Sequence, residues 1–269
     1  MRLVAPFLAV LACACSAPVP APAPVPTAVS AVAEQAPPST PEPVARAIGP
    51  FEVPFDAKRT VYFAIPPSAH GPHRVIANLH GLCNPPGYAC GYWTSAGSEQ
   101  GFLVCPSGNS TCGPGSFNAP TWTEGDDAID RDLEHAIATV DSQYPAEMTR
   151  EGGVLTGFSR GAYAAAHIAT LHPGRWPYLL LTEADVPLDA RALRAAGVRA
   201  VALVAGEIGS QIVGERRTYE KLRSQGFPAR LWIMPGAGHY YSGNIDDIMR
   251  EALAWLVRSD EAPDAADAH

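Results

Sequence analysis

Ser159 and His239 are the residues of this chain whose types and settings suit nucleophilic chemistry. Ser159 is the centre of GFSRG, residues 157–161, which fits the pattern G-x-S-x-G. A serine hydroxyl is a poor nucleophile unless a base accepts its proton. In this pattern the serine occupies a sharp strand-to-helix turn, and small residues two before and two after it relieve the crowding. Gly157 and Gly161 fill those positions. The turn lifts the hydroxyl clear of the sheet, at the positive end of the following helix. His239, in PGAGHYY, is the candidate base, because its loop lies between the last core strand and the last helix and can reach back to Ser159. His70 and His73 flank a strand start, His135, His167 and His172 fall within or at the end of helices, and His269 is in the charged tail. Acyl transfer also needs two aimed N–H groups for the developing oxyanion. Arg160 is expected to supply one and Leu82, in the loop LHGLC, the other, with His80 of that loop structural.

The elements that must position these groups read as alternating strands and helices from Phe51 onward. TVYFAIP (60–66), HRVIANLHG (73–81), GFLVCPSG (101–108), PYLLLTEAD (177–185), VRAVALVAGE (198–207) and ARLWIMPGAGH (229–239) carry strands. Residues 123–145 predict a long helix with an apolar stripe of Ile129, Leu133, Ile137 and Val140, and Pro145 just past its end. Alanine-rich RGAYAAAHIATLHP, LDARALRAAG, GERRTYEKLRSQG and NIDDIMREALAWLVR predict four more. This alternation predicts an α/β fold, a mostly parallel sheet with helices on both faces and right-handed crossovers. Ligands collect at the carboxyl ends of such strands. The loops after Leu79, Val104, Leu155, Leu181, Val204 and Met234 should therefore share one rim.

The chain has 269 residues, 47% of them hydrophobic and 17% charged, enough for one large domain. Its net charge of −8 comes with no basic stripe, which argues against a nucleic-acid partner. Residues 1–15 read as an export signal: a positive start, a short apolar run, then VLACACS. Cys13 is the expected lipidation site, with Cys15 as the alternative and plain secretion the simpler reading. Residues 16–50 are dominated by Pro and Ala and read as an extended tether, 51–258 as the catalytic domain and 259–269 as a disordered tail. Four cysteines follow the signal. The local disulfides Cys83–Cys90 and Cys105–Cys112 are favoured, because each closes a short loop rich in Gly, Pro or Asn. No zinc-type spacing is present, and no metal or cofactor is expected.

With LHG at 79–81, GFSRG at 157–161 and GAGH at 236–239 in this order, residues 51–258 resemble an α/β-hydrolase. His80-Gly81 resembles the oxyanion-loop HG of many esterases. WTEGDDAIDRDLEHAI, residues 122–137, resembles the corresponding stretch of secreted polyhydroxybutyrate-depolymerase-like and feruloyl-esterase-like members. The resemblance implies a triad acid, usually an Asp after the seventh strand, a few residues past a glycine. Here that position is Gly209, in AGEIGSQIVGE. Glu207 is the nearest carboxylate. Asp185, after the preceding strand, is the alternative, because some members place the acid there.

No large lid insertion is visible in the sequence. The loops 83–93 and 107–122 are long for an α/β connection and rich in Gly, Pro, Asn and aromatic residues. Tyr88, Tyr92, Trp93 and Trp122 could line a pocket or simply pack the loops down, whereas Tyr240 and Tyr241 neighbour His239 directly. The expected activity is hydrolysis of a small or polymeric carboxylic ester through an acyl-enzyme. A serine peptidase of the same fold and a non-catalytic surface lipoprotein are the competing readings, the second favoured by the missing Asp at 209. The only membrane contact expected is through an N-terminal lipid on a protein exported from a bacterial cell.

Overall fold

The computed structural model describes residues 46–68 and 71–259, all within the unit Val44–His269. The signal with Cys13 and Cys15, most of the tether, His70 and the tail from residue 260 lie outside the described residues.

Among the described residues ten strands and seven α-helices follow one another. β1 (Phe51–Pro54) and β2 (Thr60–Ala64) form an antiparallel pair. β3 (His73–Leu79) leads through α1 (Pro86–Gly91) and α2 (Thr94–Gln100) to β4 (Phe102–Pro106). A small hairpin, β5 (Ser110–Thr111) with β6 (Pro120–Thr121), precedes α3 (Asp126–Asp141) and β7 (Met148–Phe158). Then come α4 (Arg160–Leu171), β8 (Tyr178–Thr182), α5 (Ala190–Ala195), β9 (Ala200–Gly206), α6 (Ile212–Ser224), β10 (Ala229–Met234) and α7 (Ile245–Arg258). The main sheet runs β1-β2-β4-β3-β7-β8-β9-β10. β2 is antiparallel to its neighbours, and every pair from β4 to β10 is parallel. The six parallel strands therefore end on a shared rim.

Side chains alternate between two cores, as a pleated sheet covered on both faces requires. Val75, Ala77, Leu79, Phe102, Val104, Leu155, Leu179, Leu181, Val201 and Leu203 pack beneath α3, α4 and α5. Ile76, Leu103, Val154, Leu180, Ala202 and Val204 pack beneath α1, α2 and α7. The stripe Ile129, Leu133, Ile137 and Val140 of α3 is buried as its spacing dictates. The small side chains of α4 let that helix approach closely: a β-carbon on Gly161 would stand 1.9 Å from the Leu79 carbonyl oxygen.

The disulfides differ from the local pairing expected from the loops. They join Cys83 to Cys112 and Cys90 to Cys105. The reason is α1, a short helix inside what reads as an irregular Gly/Pro loop. It turns Cys90 onto the sheet face where Cys105, opposite Tyr62 in the β2–β4 ladder, also points. Cys83 is left at the edge of the β5–β6 hairpin, where Asn84 N–H donates to the Pro120 carbonyl at 3.2 Å and Cys112 N–H to Ala119 at 2.9 Å. Among the described residues no helix is long and apolar enough to cross a membrane.

Candidate active site

The turn between β7 and α4 holds Ser159 at φ 52° and ψ −120°, a strained backbone for a residue with a side chain. Its N–H is anchored to the Thr182 carbonyl of β8 at 2.9 Å. The crossing is so tight that a β-carbon on Gly157 would come within 2.3 Å of the Gly161 backbone. Both flanking glycines are therefore a steric requirement of the turn.

Ser159 Oγ lies 2.9 Å from Nε2 of His239, and Nδ1 of His239 lies 3.0 Å from Oε2 of Glu183. A carboxylate oxygen can only accept here, so Nδ1 carries the imidazole proton and Nε2 is left as the acceptor for the serine hydroxyl. The Phe158 ring, 5.1 Å from the imidazole centroid, packs beside it.

Glu183 is the first residue after β8, with φ 53° and a fully buried carboxylate. Its backbone N–H donates to the Val204 carbonyl at 3.0 Å, and Oε1 accepts the Gly206 N–H. The carboxylate is thus tied to the ends of β8 and β9 before it meets His239. Neither expected acid does this. Glu207 accepts the Gly236 N–H at 2.8 Å and so braces the turn that begins the histidine loop. Asp185 accepts the Tyr163 hydroxyl from α4; burial and then that carboxylate push the phenol up to about 12. Glu207 and Asp185 follow their strands by one and three residues and point to other partners. The missing Asp at 209 does not leave His239 without a carboxylate. Glu183 carried a usable signal: a rim rule places it directly at the carboxyl end of a buried strand.

The loop after β3 brings Gly81 and Leu82 beside Ser159, and the first turn of α4 presents the Arg160 N–H, which has no partner within the helix. His80 braces this loop from behind. It is fully buried, its Nδ1 donates to the Gly81 carbonyl at 2.7 Å, and its Nε2 accepts the Gly108 N–H at 2.9 Å. Burial lowers its pKa to about 4 against the pull of the Gly81 carbonyl, so the ring is a neutral strut. The Arg160 guanidinium is drawn aside to Asp126 at 2.6 Å, which also meets His167 at 2.8 Å. Burial alone would raise the Asp126 pKa, but these two partners outweigh it and hold it below its usual value.

A pocket of about 480 Å³ opens over Ser159, between the loop 81–85, Tyr88, Phe158, His239 and Tyr240. Tyr240 is half exposed, with its hydroxyl donating to the Gly236 carbonyl at 3.1 Å. Trp122, a candidate either to line the substrate pocket or to pack its loop, does the second and stands behind the loop that carries Gly81 and Leu82. It is buried, stacks on His80 at 4.7 Å and donates its indole N–H to the His80 carbonyl at 2.8 Å. Trp93 is likewise buried, and Tyr241 packs behind the pocket wall between Tyr88 and Phe158. Among the described residues no group of three or more His, Cys, Asp or Glu side chains could hold a metal ion.

A doubly covered, mostly parallel sheet with a serine held on the tight β7–α4 turn is the α/β-hydrolase fold. No family model and no curated protein matches the sequence. Solved structures do match. Esterase PE8 is 19% identical and superposes with a TM-score of 0.54 over 72% of this chain and 95% of its own. An S-formylglutathione hydrolase from Staphylococcus aureus is 12% identical, with a TM-score of 0.54 over 79% of this chain and 98% of its own. A ferulic acid esterase from Anaeromyces mucronatus is 16% identical, with a TM-score of 0.55 over 81% and 95%. At these identities the likeness is one of fold.

Proposed function

We propose that the protein is a serine hydrolase acting on carboxylic esters through an acyl-enzyme, with Ser159, His239 and Glu183 as its triad. One observation carries this reading: the unbroken line Ser159 Oγ–His239 Nε2/Nδ1–Glu183 Oε2, with steps of 2.9 and 3.0 Å, at the mouth of a pocket. The esterases and the S-formylglutathione hydrolase among the structural neighbours support it.

Ser159 Oγ attacks the ester carbonyl carbon while His239 Nε2 takes its proton. The Glu183 carboxylate holds the imidazole in the required tautomer and stabilises the imidazolium. The Leu82 and Arg160 N–H groups receive the oxyanion, each donor of this kind being worth about 3 kcal/mol in the transition state. His239 then protonates the leaving alkoxide, and the alcohol departs. Water, deprotonated by His239, attacks the acyl-Ser159 carbonyl; the acyl–Oγ bond breaks, His239 returns the proton to Ser159 Oγ, and the carboxylic acid leaves. The pocket over Ser159 is open, which suits either a small ester or the end of a polymer. We place the protein outside the cytoplasm, held by a lipid on Cys13 (or Cys15) or released; two disulfides fit an oxidising compartment.

A fluorophosphonate probe tests the reading. The native protein labels, and Ser159→Ala and His239→Ala do not. An unlabelled native protein would leave a binding protein on a hydrolase scaffold as the better reading. Nitrophenyl esters of increasing chain length, a feruloyl ester and a peptide amide then separate an esterase from a peptidase.

A further inference from the structure

One face of α6 meets the segment that follows β8 in a regular ladder. Glu215 Oε1 accepts the Ala184 N–H at 3.0 Å. Thr218 Oγ1 donates to the Val186 carbonyl at 3.0 Å, and Lys221 Nζ donates to the Leu188 carbonyl at 2.8 Å. Gln225, just past the helix, accepts the Ala190 N–H at 3.1 Å. The helix side advances by three, three and four residues, so these side chains share one face. The segment after β8 advances by two each time up to Ala190, the first residue of α5, as an extended chain presents alternate backbone groups to one side. Contact is closest at the Glu215 end: a β-carbon on Gly214 would stand 2.2 Å from the Asp185 β-carbon. The first rung lands on the residue immediately after Glu183, whose own backbone sits at φ 53°. Glu215 is fully buried, and its second oxygen, Oε2, has no hydrogen-bond partner among the described residues.

We propose that this face of α6 is the positioning element for the triad acid, with Glu215 as the residue that fixes where the Glu183 carboxylate stands. The inference rests on Glu183 acting as the acid of the proposed hydrolase. An ordinary connection after β8 could adopt many paths. Four side-chain-to-backbone bonds over residues 184–190 leave it one, and the carboxylate is delivered to His239 without reaching across from the next strand. Glu215 does this as a neutral group. Burial pushes its pKa up to about 8; the Ala184 N–H opposes this, and the nearby carboxylates of Glu183 and Asp185 add to it. From α4 the Tyr163 phenol also faces it. A protonated Glu215 keeps a second negative charge away from Glu183. Once ionised, Glu215 sets a second negative charge beside Glu183 and Asp185, and that repulsion shifts the Glu183 carboxylate even though the bond from the Ala184 N–H strengthens.

Glu215→Gln, Glu215→Leu and Glu183→Gln, made in the full chain and assayed with p-nitrophenyl acetate from pH 6 to 10, test the proposal. Glutamine keeps the acceptor and cannot ionise; leucine removes the acceptor. The native kcat falls through a step near pH 8, and Glu215→Gln abolishes that step while keeping most of the neutral-pH kcat. Glu215→Leu loses about tenfold in kcat, with KM little changed. A Glu215→Gln profile that retains the native step, or a folded Glu215→Leu with native kcat, overturns the proposal. If Glu215→Leu shows no cooperative thermal transition, the Glu215→Gln profile decides alone. Glu183→Gln separates the two levels: native activity there sinks the triad reading itself, whereas its loss beside unaffected Glu215 variants sinks only the positioning role.

Discussion

The carboxylate of Glu183 occupies the space that a side chain at Gly209 would need. Its oxygens lie 3.0 and 3.2 Å from where a β-carbon on Gly209 would stand. The glycine after β9 and the glutamate after β8 are thus two halves of one arrangement. The Glu183 carboxylate reaches His239 from the preceding strand, and the absence of a side chain at 209 leaves room for it.

Moving the acid should therefore move function. In a Glu183→Ala background, Gly209→Asp grows a carboxylate into the volume that Glu183 vacates. Ester hydrolysis should recover about tenfold over Glu183→Ala alone. In the native background Gly209→Ala crowds the Glu183 carboxylate and should lower kcat with KM nearly unchanged. A double variant no faster than Glu183→Ala would show that position 209 cannot reach the imidazole.

The disulfides make a separate prediction. Non-reducing peptide mapping should recover Cys83 linked to Cys112 and Cys90 linked to Cys105. The two bridges span 29 and 15 residues. Chain entropy then assigns them about 3.6 and about 3 kcal/mol, respectively. Cys90→Ala/Cys105→Ala should lower Tm by roughly 6–12 °C in a chain of this size. Recovery of the local pairs would contradict the structure.

Much of this architecture is legible in the sequence because it depends on local signals. Strand runs such as HRVIANL, the stripe Ile129–Val140 and the glycines around Ser159 each act over a few residues. They place Ser159 and His239 on one rim, where the two are hydrogen bonded at 2.9 Å. Glu183 is not legible from the family's usual spacing, which points past Glu207 to Gly209. It is selected by which buried strand end faces the imidazole, a tertiary relationship. The disulfide pairing is hidden for a similar reason: α1 turns Cys90 away from Cys83, and six residues beginning with Pro-Gly read as loop. Trp122 shows the same limit. An aromatic residue in a long loop can face the pocket or brace it, and the indole bond to the His80 carbonyl decides for the brace.

Stability should depend on pH through Glu215. Its pKa is about 8 in the folded protein, against 4.5 as the reference value. The folded state therefore holds a proton that the unfolded chain has released across that interval. The contribution is fully present below pH 4.5 and is lost as pH rises toward 8, at up to about 1.4 kcal/mol per pH unit. Glutamine at 215 carries no such penalty. The Tm of Glu215→Gln minus that of the native protein should rise from pH 5 to pH 8. A difference constant across that range would mean that Glu215 does not titrate this way.

The identity of the acid is tested most directly by kcat/KM for p-nitrophenyl acetate, measured side by side in Glu183→Gln, Glu207→Gln and Asp185→Asn. Glu183→Gln should lose about 10⁴-fold, as removal of the charged orienting group does in a serine triad. Glu207→Gln still offers an acceptor to the Gly236 N–H, and Asp185→Asn still accepts from Tyr163, so both should stay within about threefold of the native protein. A large loss in Glu207→Gln or Asp185→Asn, with Glu183→Gln unimpaired, would contradict the Ser159–His239–Glu183 triad.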